Sequence, residues 1–318
     1  MLLRYGTTYY HQRLTKTYKL LMDYFSCFDG IGAAHAALLP LGYRCVGISE
    51  VNKFCNELID KKYGFKNFKD FSQWQTWGNI GADVIVASPP CTAFSFIGRR
   101  RGTADPAGAL TPSCVRFICA QRPRWFILEN VPGIFAINEG GLLRWMLNQF
   151  SQCGYNCCWR VLNAESFGVP QSRRRMFLVG HLGSGYRAAK VLFDGESIPI
   201  PTPQSTGTRQ NDLRTIEVGI GKNRYRHNRK SVGTLLASPG GGVERIGAII
   251  LDNDKPRWLT VRERERLMGF EDDYTAGFSD AQRHRMTGNS IVVPILGWIG
   301  KRLLQQEQEA NMGQLKAG

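Results

Sequence analysis

The run Val84-Ile-Val-Ala87, stopped by Ser88-Pro89-Pro90 and followed at once by Cys91, constrains this chain more than any other stretch. Three β-branched residues and an alanine, with no polar alternation, suit a strand buried on both faces, as in a parallel sheet covered by helices. Proline cannot donate to the ladder, so the strand must end where the prolines begin. In open α/β sheets, ligands bind at the carboxyl ends of the strands. Cys91 is thereby placed at a strand-to-loop edge, where a thiol can meet a substrate. Buried cysteines are commonly just small hydrophobes, so its chemistry has to be argued from its surroundings.

The same strand-then-polar pattern recurs along the chain. Residues 20–28 predict a first strand, which runs into Phe28-Asp-Gly30-Ile31-Gly32 and a helical stretch to residue 39. Gly30 and Gly32 permit a tight turn and close approach of backbone to a ligand, although His35 stands where a dinucleotide fingerprint has its third glycine. A second strand over 44–49 ends in Glu50, twenty residues after Gly30, a place where an acid suits the hydroxyls of a ribose. A helix is predicted over 52–62, and Phe68-Lys-Asp70 as a short third edge whose Asp70 can accept from an adenine amino group. Together these features predict a nucleoside-containing cofactor; the alternative is a plain strand-to-helix turn.

After Cys91 comes Ser95 and then Arg99-Arg100-Arg101, three arginines between two glycines. Such a run is usually a solvated face, but beside a nucleophile it is suited to closing on a phosphate backbone. A helix over 111–121 precedes a strand over 125–128 that ends in Glu129-Asn130, again polar residues at a strand's carboxyl edge. A helix over 142–150 and a strand over 157–162 follow, then a turn and a strand to residue 180 in which Gln171, Arg173 and Arg175 share one face. From 181 to about 257, Gly, Pro, Ser and Thr dominate and no long amphipathic helix is predicted, so a second, small domain is expected there. Within it Lys222, Arg224, Arg226, Arg229 and Lys230 surround Tyr225, a set suited to phosphates and bases or, equally, to a solvated loop. Thr260 and Glu263 predict a capping box. A C-terminal helix is predicted over 295–305, and the last ten or so residues of the chain are expected to be polar and frayed. Residues 1–19 read as a basic lead-in, with Met22 a second candidate start.

The formal net charge of +15 points to a polyanionic partner, nucleic acid first. No apolar run approaches the ~20 residues of a membrane span, and the first twenty residues have no apolar core, so no secretory signal is expected. Nine cysteines, none in CxxC spacing, predict reduced thiols in a cytoplasm rather than a disulfide framework or a metal site.

In this order, the segments resemble the DNA (cytosine-5) methyltransferase family in its compact prokaryotic or phage form. Phe28-x-Gly30-x-Gly32 is similar to its first motif, Pro89-Pro90-Cys91 with Phe94-Ser95 to its nucleophile loop, and Glu129-Asn130-Val131 to its acid motif. Gln171-x-Arg173-x-Arg175 is similar to the arginine motif, Arg257 through Phe270 to the penultimate one, and Gly288-Asn289-Ser290 with Pro294 to the last. The resemblance covers residues 20–305, broken chiefly at 181–230. Thr92 stands where the family has glutamine or asparagine, Ala33 where a further glycine is common, and Asp70 lacks the glycine that often precedes it.

The resemblance implies a Rossmann-like, mostly parallel α/β sheet, the S-adenosylmethionine-dependent methyltransferase fold, with a small irregular β-rich target-recognition domain. Residues 20–180 plus 285–305 would form the catalytic part, 181–284 the recognition domain and 306–318 a tail. It implies S-adenosyl-L-methionine as cofactor, held by Phe28, Gly30, Ile31, Gly32, Glu50, Asp70, Pro90, Asn289 and Ser290. C5 of cytosine is a poor nucleophile, and a thiolate added at C6 converts the ring to an enamine; Cys91 would supply it. Nearby arginines would favour that thiolate. Glu129, held partly protonated by burial, would serve N3. Arg175 would bind O2, Arg173 would support the site and Asn130 would fix the loop. The target base must be flipped out of the duplex. DNA contacts fall to Ser95, Arg99, Arg100, Arg101, Gln171, Lys222, Arg224, Arg226, Arg229 and Lys230. The implied partner is double-stranded DNA, with the protein itself a monomer that is either paired with a cognate restriction endonuclease or a solitary prokaryotic or phage methylase. A transfer-RNA cytosine-5 methyltransferase and a catalytically silent DNA-binding relative are the alternatives.

Overall fold

A computed structural model describes residues 21–90, 106–193, 215–218, 225–226, 231–237, 249–252 and 255–317. Cys91, Ser95, Arg99, Arg100, Arg101, Lys222, Arg224, Arg229 and Lys230 lie outside the described residues, and Arg226 is described only in its backbone.

The first half of the chain alternates strand and helix: β1 (Asp23–Cys27), α1 (Ala33–Leu38), β2 (Arg44–Ser49), α2 (Lys53–Lys62), β3 (Val84–Ala87), α3 (Pro106–Gln121), β4 (Trp125–Asn130) and α4 (Gly141–Gln152). Then come β5 (Tyr155–Asn163), β6 (Arg174–Leu182) and α5 (Gly185–Phe193). The six strands form one sheet in the order β2-β1-β3-β4-β6-β5. β1 pairs in parallel with β2 and β3, and β3 with β4, while β6 runs antiparallel to both β4 and β5. One reversed strand in an otherwise parallel sheet is the expected Rossmann-like arrangement, and it matters for the site. The beginning of β6 lies beside the carboxyl end of β4.

Both faces of the sheet are covered, which explains the unbroken apolar runs. Tyr24, Val84, Val86, Trp125, Ile127, Phe177 and Val179 belong to one core cluster, and the alternate residues Phe25, Cys27, Ile85, Ala87, Phe126, Leu128, Met176 and Leu178 to the other. Each Val, Ile, Leu, Met or Phe among them taken fully from water contributes about 1.5–3 kcal/mol.

A second sheet, order β10-β9-β7-β8, is made of β7 (Thr215–Val218), β8 (Tyr225–Arg226), β9 (Ile249–Asp252) and β10 (Lys255–Trp258), all in antiparallel pairs. This is the small β-rich unit. After it come α6 (Val261–Met268), α7 (Asp280–Asn289) and α8 (Val293–Ala317). Thr260 and Glu263 form the expected capping box on α6. Among the described residues, no helix is long and apolar enough to cross a membrane.

Four expectations need correction. The chain does not leave the large sheet at residue 180: α5 buries Ala188, Val191 and Leu192, the last two in the core cluster that holds β1 and β4. Residues 259–284 do not belong with the small sheet, since Leu267, Met268, Phe270 and Tyr274 share that same cluster with α1 and the Tyr274 hydroxyl donates to Ile31 O at 2.8 Å. Residues 306–318 are not a separate tail, because α8 runs on to Ala317. Arg302, Gln306 and Glu307 are buried, and Glu307 accepts from Trp125 Nε1 at 2.9 Å and pairs with Arg124 and Arg187. Finally, 68–70 is no strand; the chain there makes a single parallel bridge, Ile48 to Asn67.

Candidate active site

The turn after β1 is built on unusual backbone. Phe28, Gly30 and Gly32 have φ of 56°, 60° and 79°. A Cβ on Gly32 would meet the Ile59 and His35 side chains at 2.6 and 2.8 Å, so only glycine fits there. Over Gly30 there is open space, with nothing within 4 Å of an added Cβ. That space belongs to a pocket lined by Ser26, Cys27, Phe28, Asp29, Gly30, Val86 and Ser88 from the sheet and its first turn, and by Asn289, Ser290 and Ile291 from the α7–α8 junction. The first turn and the α7–α8 junction therefore meet at this pocket.

Glu50 stands at the end of β2 with its carboxylate fully engaged by backbone. Gly30 N donates to Oε2 at 2.7 Å, and Val51 N and Asn52 N to Oε1 at 2.9 and 2.7 Å. Burial pushes its carboxyl above the usual range, against the pull of those three N–H groups. Asp70 is exposed and caps a short 3-10 turn by accepting from Ser72 N at 2.9 Å. The next residue, Phe71, packs its ring against that of Phe28, with centroids 4.5 Å apart and planes tilted by 40°. Ile31 is buried beneath the turn, and Pro90 is half-buried at the end of β3.

A second cluster sits at the carboxyl ends of β3 and β4. Glu129 is buried; its Oε1 lies 3.1 Å from Arg175 Nε, and its Oε2 accepts from Ser88 Oγ at 2.8 Å. The reversed direction of β6 brings Arg175, at its beginning, to the end of β4. Ser88 is the residue the sequence did not single out. It lines the pocket and holds the acid, and the only signal for it was its place at a strand edge one residue before the prolines. Asn130 Oδ1 accepts from Val131 N at 2.9 Å, which fixes the chain leaving β4.

Two members of the arginine motif do something other than face a ligand. Gln171 was expected to touch DNA, but it is fully buried, donating to Leu267 O at 2.8 Å and accepting from Leu235 N at 3.0 Å. It joins three segments of backbone and is closed to solvent. Arg173 is likewise buried and donates to Leu235 O, Gly288 O and Ser290 O at 3.1, 3.2 and 2.8 Å. It holds the α7–α8 junction against the start of β6. Asn289 is exposed at that junction and Ser290 is buried. Val51, directly after Glu50, is a 66% exposed apolar side chain.

Comparison with known proteins agrees with this architecture. The model of the C-5 cytosine-specific DNA methylase family matches residues 22–238 and 203–305. The Type II methyltransferase M.DsaV of Dactylococcopsis salina is 28% identical over 311 residues, 90% of this chain and 87% of the relative. M.HhaI of Haemophilus parahaemolyticus is 25% identical, over 87% of this chain and 93% of its own. Among solved structures, the S. pombe Dnmt2 methyltransferase shares the fold with a TM-score of 0.67 and 20% identity, covering 89% of this chain and 98% of that one. The Entamoeba histolytica methyltransferase EhMeth does so with a TM-score of 0.67 and 17% identity, covering 90% and 98%. Because the family match runs from β1 into α8, through both the pocket and the Glu129 cluster, the chain belongs to the C-5 cytosine-specific DNA methylase family and is a DNA cytosine methyltransferase.

Proposed function

We propose that the protein methylates C5 of a cytosine flipped out of duplex DNA, through a transient bond between Cys91 Sγ and C6, with S-adenosyl-L-methionine as methyl donor. The observation that carries this reading is Ser88, which lines the pocket and at the same time holds Glu129. Cofactor pocket and acid–arginine pair are one site, with Cys91 three residues further along.

The pocket suits the donor. Open space over Gly30 accommodates its amino-acid portion, with Asn289 and Ser290 closing the far side. Glu50 would exchange backbone N–H groups for ribose hydroxyls, Phe28 and Val51 offer apolar surface, and Asp70 would take the adenine amino group. When bound, S-adenosylmethionine supplies an electrophilic methyl group. The chain's own residues prepare the base. The Cys91 thiolate adds to C6, Glu129 shares a proton with N3 as charge builds there, and Arg175 steadies both Glu129 and the O2 edge. Loss of the C5 proton and departure of Cys91 restore the ring. Burial raises the thiols of Cys27, Cys45, Cys55, Cys114, Cys119, Cys157 and Cys158, so none of these is a ready thiolate.

The Arg99-Arg100-Arg101 run would close over the displaced base, and the small sheet with the basic residues 222–230 would read the flanking duplex. The protein would act in the cytoplasm as a monomer, either beside a restriction endonuclease of the same specificity or as a solitary methylase. The likeness to Dnmt2 is one of fold and does not favour RNA. Labelled S-adenosylmethionine offered with duplex DNA or transfer RNA decides between the substrates: label is expected in DNA, and label in transfer RNA alone would overturn the reading.

A further inference from the structure

Asn67 uses all of its amide. Its Nδ2 donates to Glu50 O at 3.1 Å and to Asn56 Oδ1 at 2.9 Å, while its Oδ1 accepts from Glu50 N at 3.2 Å and Lys69 N at 2.7 Å. The carboxylate at the end of β2 thus has its main chain gripped on both sides by one side chain. The same oxygen secures Lys69, whose φ is 62°, in the left-handed region that costs a residue with a Cβ and is nearly free for glycine. A second bond completes the hold: buried Ser49 donates its hydroxyl to Lys69 O at 2.8 Å. Lys69 directly precedes Asp70, so its backbone turn determines where that carboxylate is presented.

We infer that Asn67 is a positioning residue for the nucleoside half of the cofactor, setting the ribose acid Glu50 directly and the adenine acid Asp70 through the left-handed turn at Lys69. This rests on the cofactor reading above. Only an amide suffices: an aspartate at 67 would present acceptors to Glu50 O and Asn56 Oδ1, which also accept. The arrangement further explains how Asp70 can do without a preceding glycine. Asn67 and Ser49 impose on lysine the conformation that glycine would take unaided.

The test is titration calorimetry of S-adenosylhomocysteine into the full chain without DNA, with ligand-free melting temperatures measured alongside. Wild type is expected to bind. Asn67→Ala is expected to weaken binding about tenfold or more, through two lost hydrogen bonds to Glu50 and a released turn. Adding Lys69→Gly should recover about fivefold of that loss, because glycine holds the turn without help. A residue that merely supported the fold would lower the melting temperature and show no such rescue. Should Asn67→Ala fail to fold, Ser49→Ala carries the same test, since it too releases Lys69 and should be rescued by Lys69→Gly. Undiminished binding by Asn67→Ala, or a double variant no better than the single one, overturns the inference while leaving the cofactor reading intact. A wild type that does not bind S-adenosylhomocysteine sinks both.

Discussion

Ser88 Oγ donates to Glu129 Oε2 at 2.8 Å, linking the carboxyl ends of two adjacent parallel strands, and Arg175 Nε completes the carboxylate's coordination at 3.1 Å. The carboxylate is thus held from both sides, as the proposed role of Glu129 toward a bound base requires. Such preorganisation is what lets a fixed carboxyl act at the moment charge develops.

Ser88→Ala removes one of these donors and leaves the backbone of β3 untouched. A hydrogen bond to a charged group contributes about 1.5–3 kcal/mol, so single-turnover methyl transfer is expected to fall roughly 10- to 100-fold. Glu129→Gln should cost more, about 10²–10⁴-fold, as for a lost acid–base group. Both variants should still bind S-adenosylhomocysteine. If Ser88→Ala transfers methyl at the wild-type rate, the serine has no part in holding the acid.

His181, on β6 between β4 and β5, tests the energetics of the sheet's reversed strand. Burial, with Arg187 and Arg124 adding to it, pushes its imidazole down to about 4. Unfolded histidine titrates near 6.5. Between those values the unfolded chain binds more protons, so stability is fully present above about pH 6.5 and is lost as pH falls toward 4, by on the order of 1–3 kcal/mol. Urea midpoints at pH 7 and pH 5 should show wild type losing stability that His181→Gln does not lose. Equal losses in the two proteins would contradict the assignment.

Glu307 anchors the last turns of α8 to the middle of the sheet. Burial alone would raise its carboxyl, but hydrogen bonds from Trp125 and Arg124 and the nearby guanidinium groups hold it below the usual range. Glu307→Ala would take the acceptor from Trp125 Nε1 and the carboxylate from Arg187, while half-exposed Arg124 keeps Asp83; a loss of about 1.5–3 kcal/mol is expected, as for a hydrogen bond to a charged group. Ending the chain after Gln305 should lower the melting temperature comparably, whereas a frayed tail would leave it unchanged.

How much of this was legible in the sequence depended on where each residue finds its partners. β2 and β3 end where the sequence placed them, because Glu50 and the Pro89-Pro90 pair punctuate apolar runs locally. Asn52 capping α2 and the Thr260 box are equally local. α5 was missed although Ala188, Val191 and Leu192 carry a helical spacing, because glycines and serines around it suggested a loop. Glu307 and Gln171 look like surface residues until Arg124, Trp125 and the carbonyl of Leu267 arrive from far along the chain. The left-handed turn at Lys69 was invisible for the same reason. Its cause lies in Asn67 and Ser49 folding back upon it.

The central claim is methylation of cytosine in DNA at C5 by way of Cys91. Duplex DNA incubated with the protein and S-adenosylmethionine, digested to nucleosides and analysed by mass spectrometry, tests it most directly. The account predicts 5-methyl-2′-deoxycytidine with wild type and none with Cys91→Ala. Methyl groups on an exocyclic nitrogen, or undiminished 5-methyl-2′-deoxycytidine from Cys91→Ala, would contradict it.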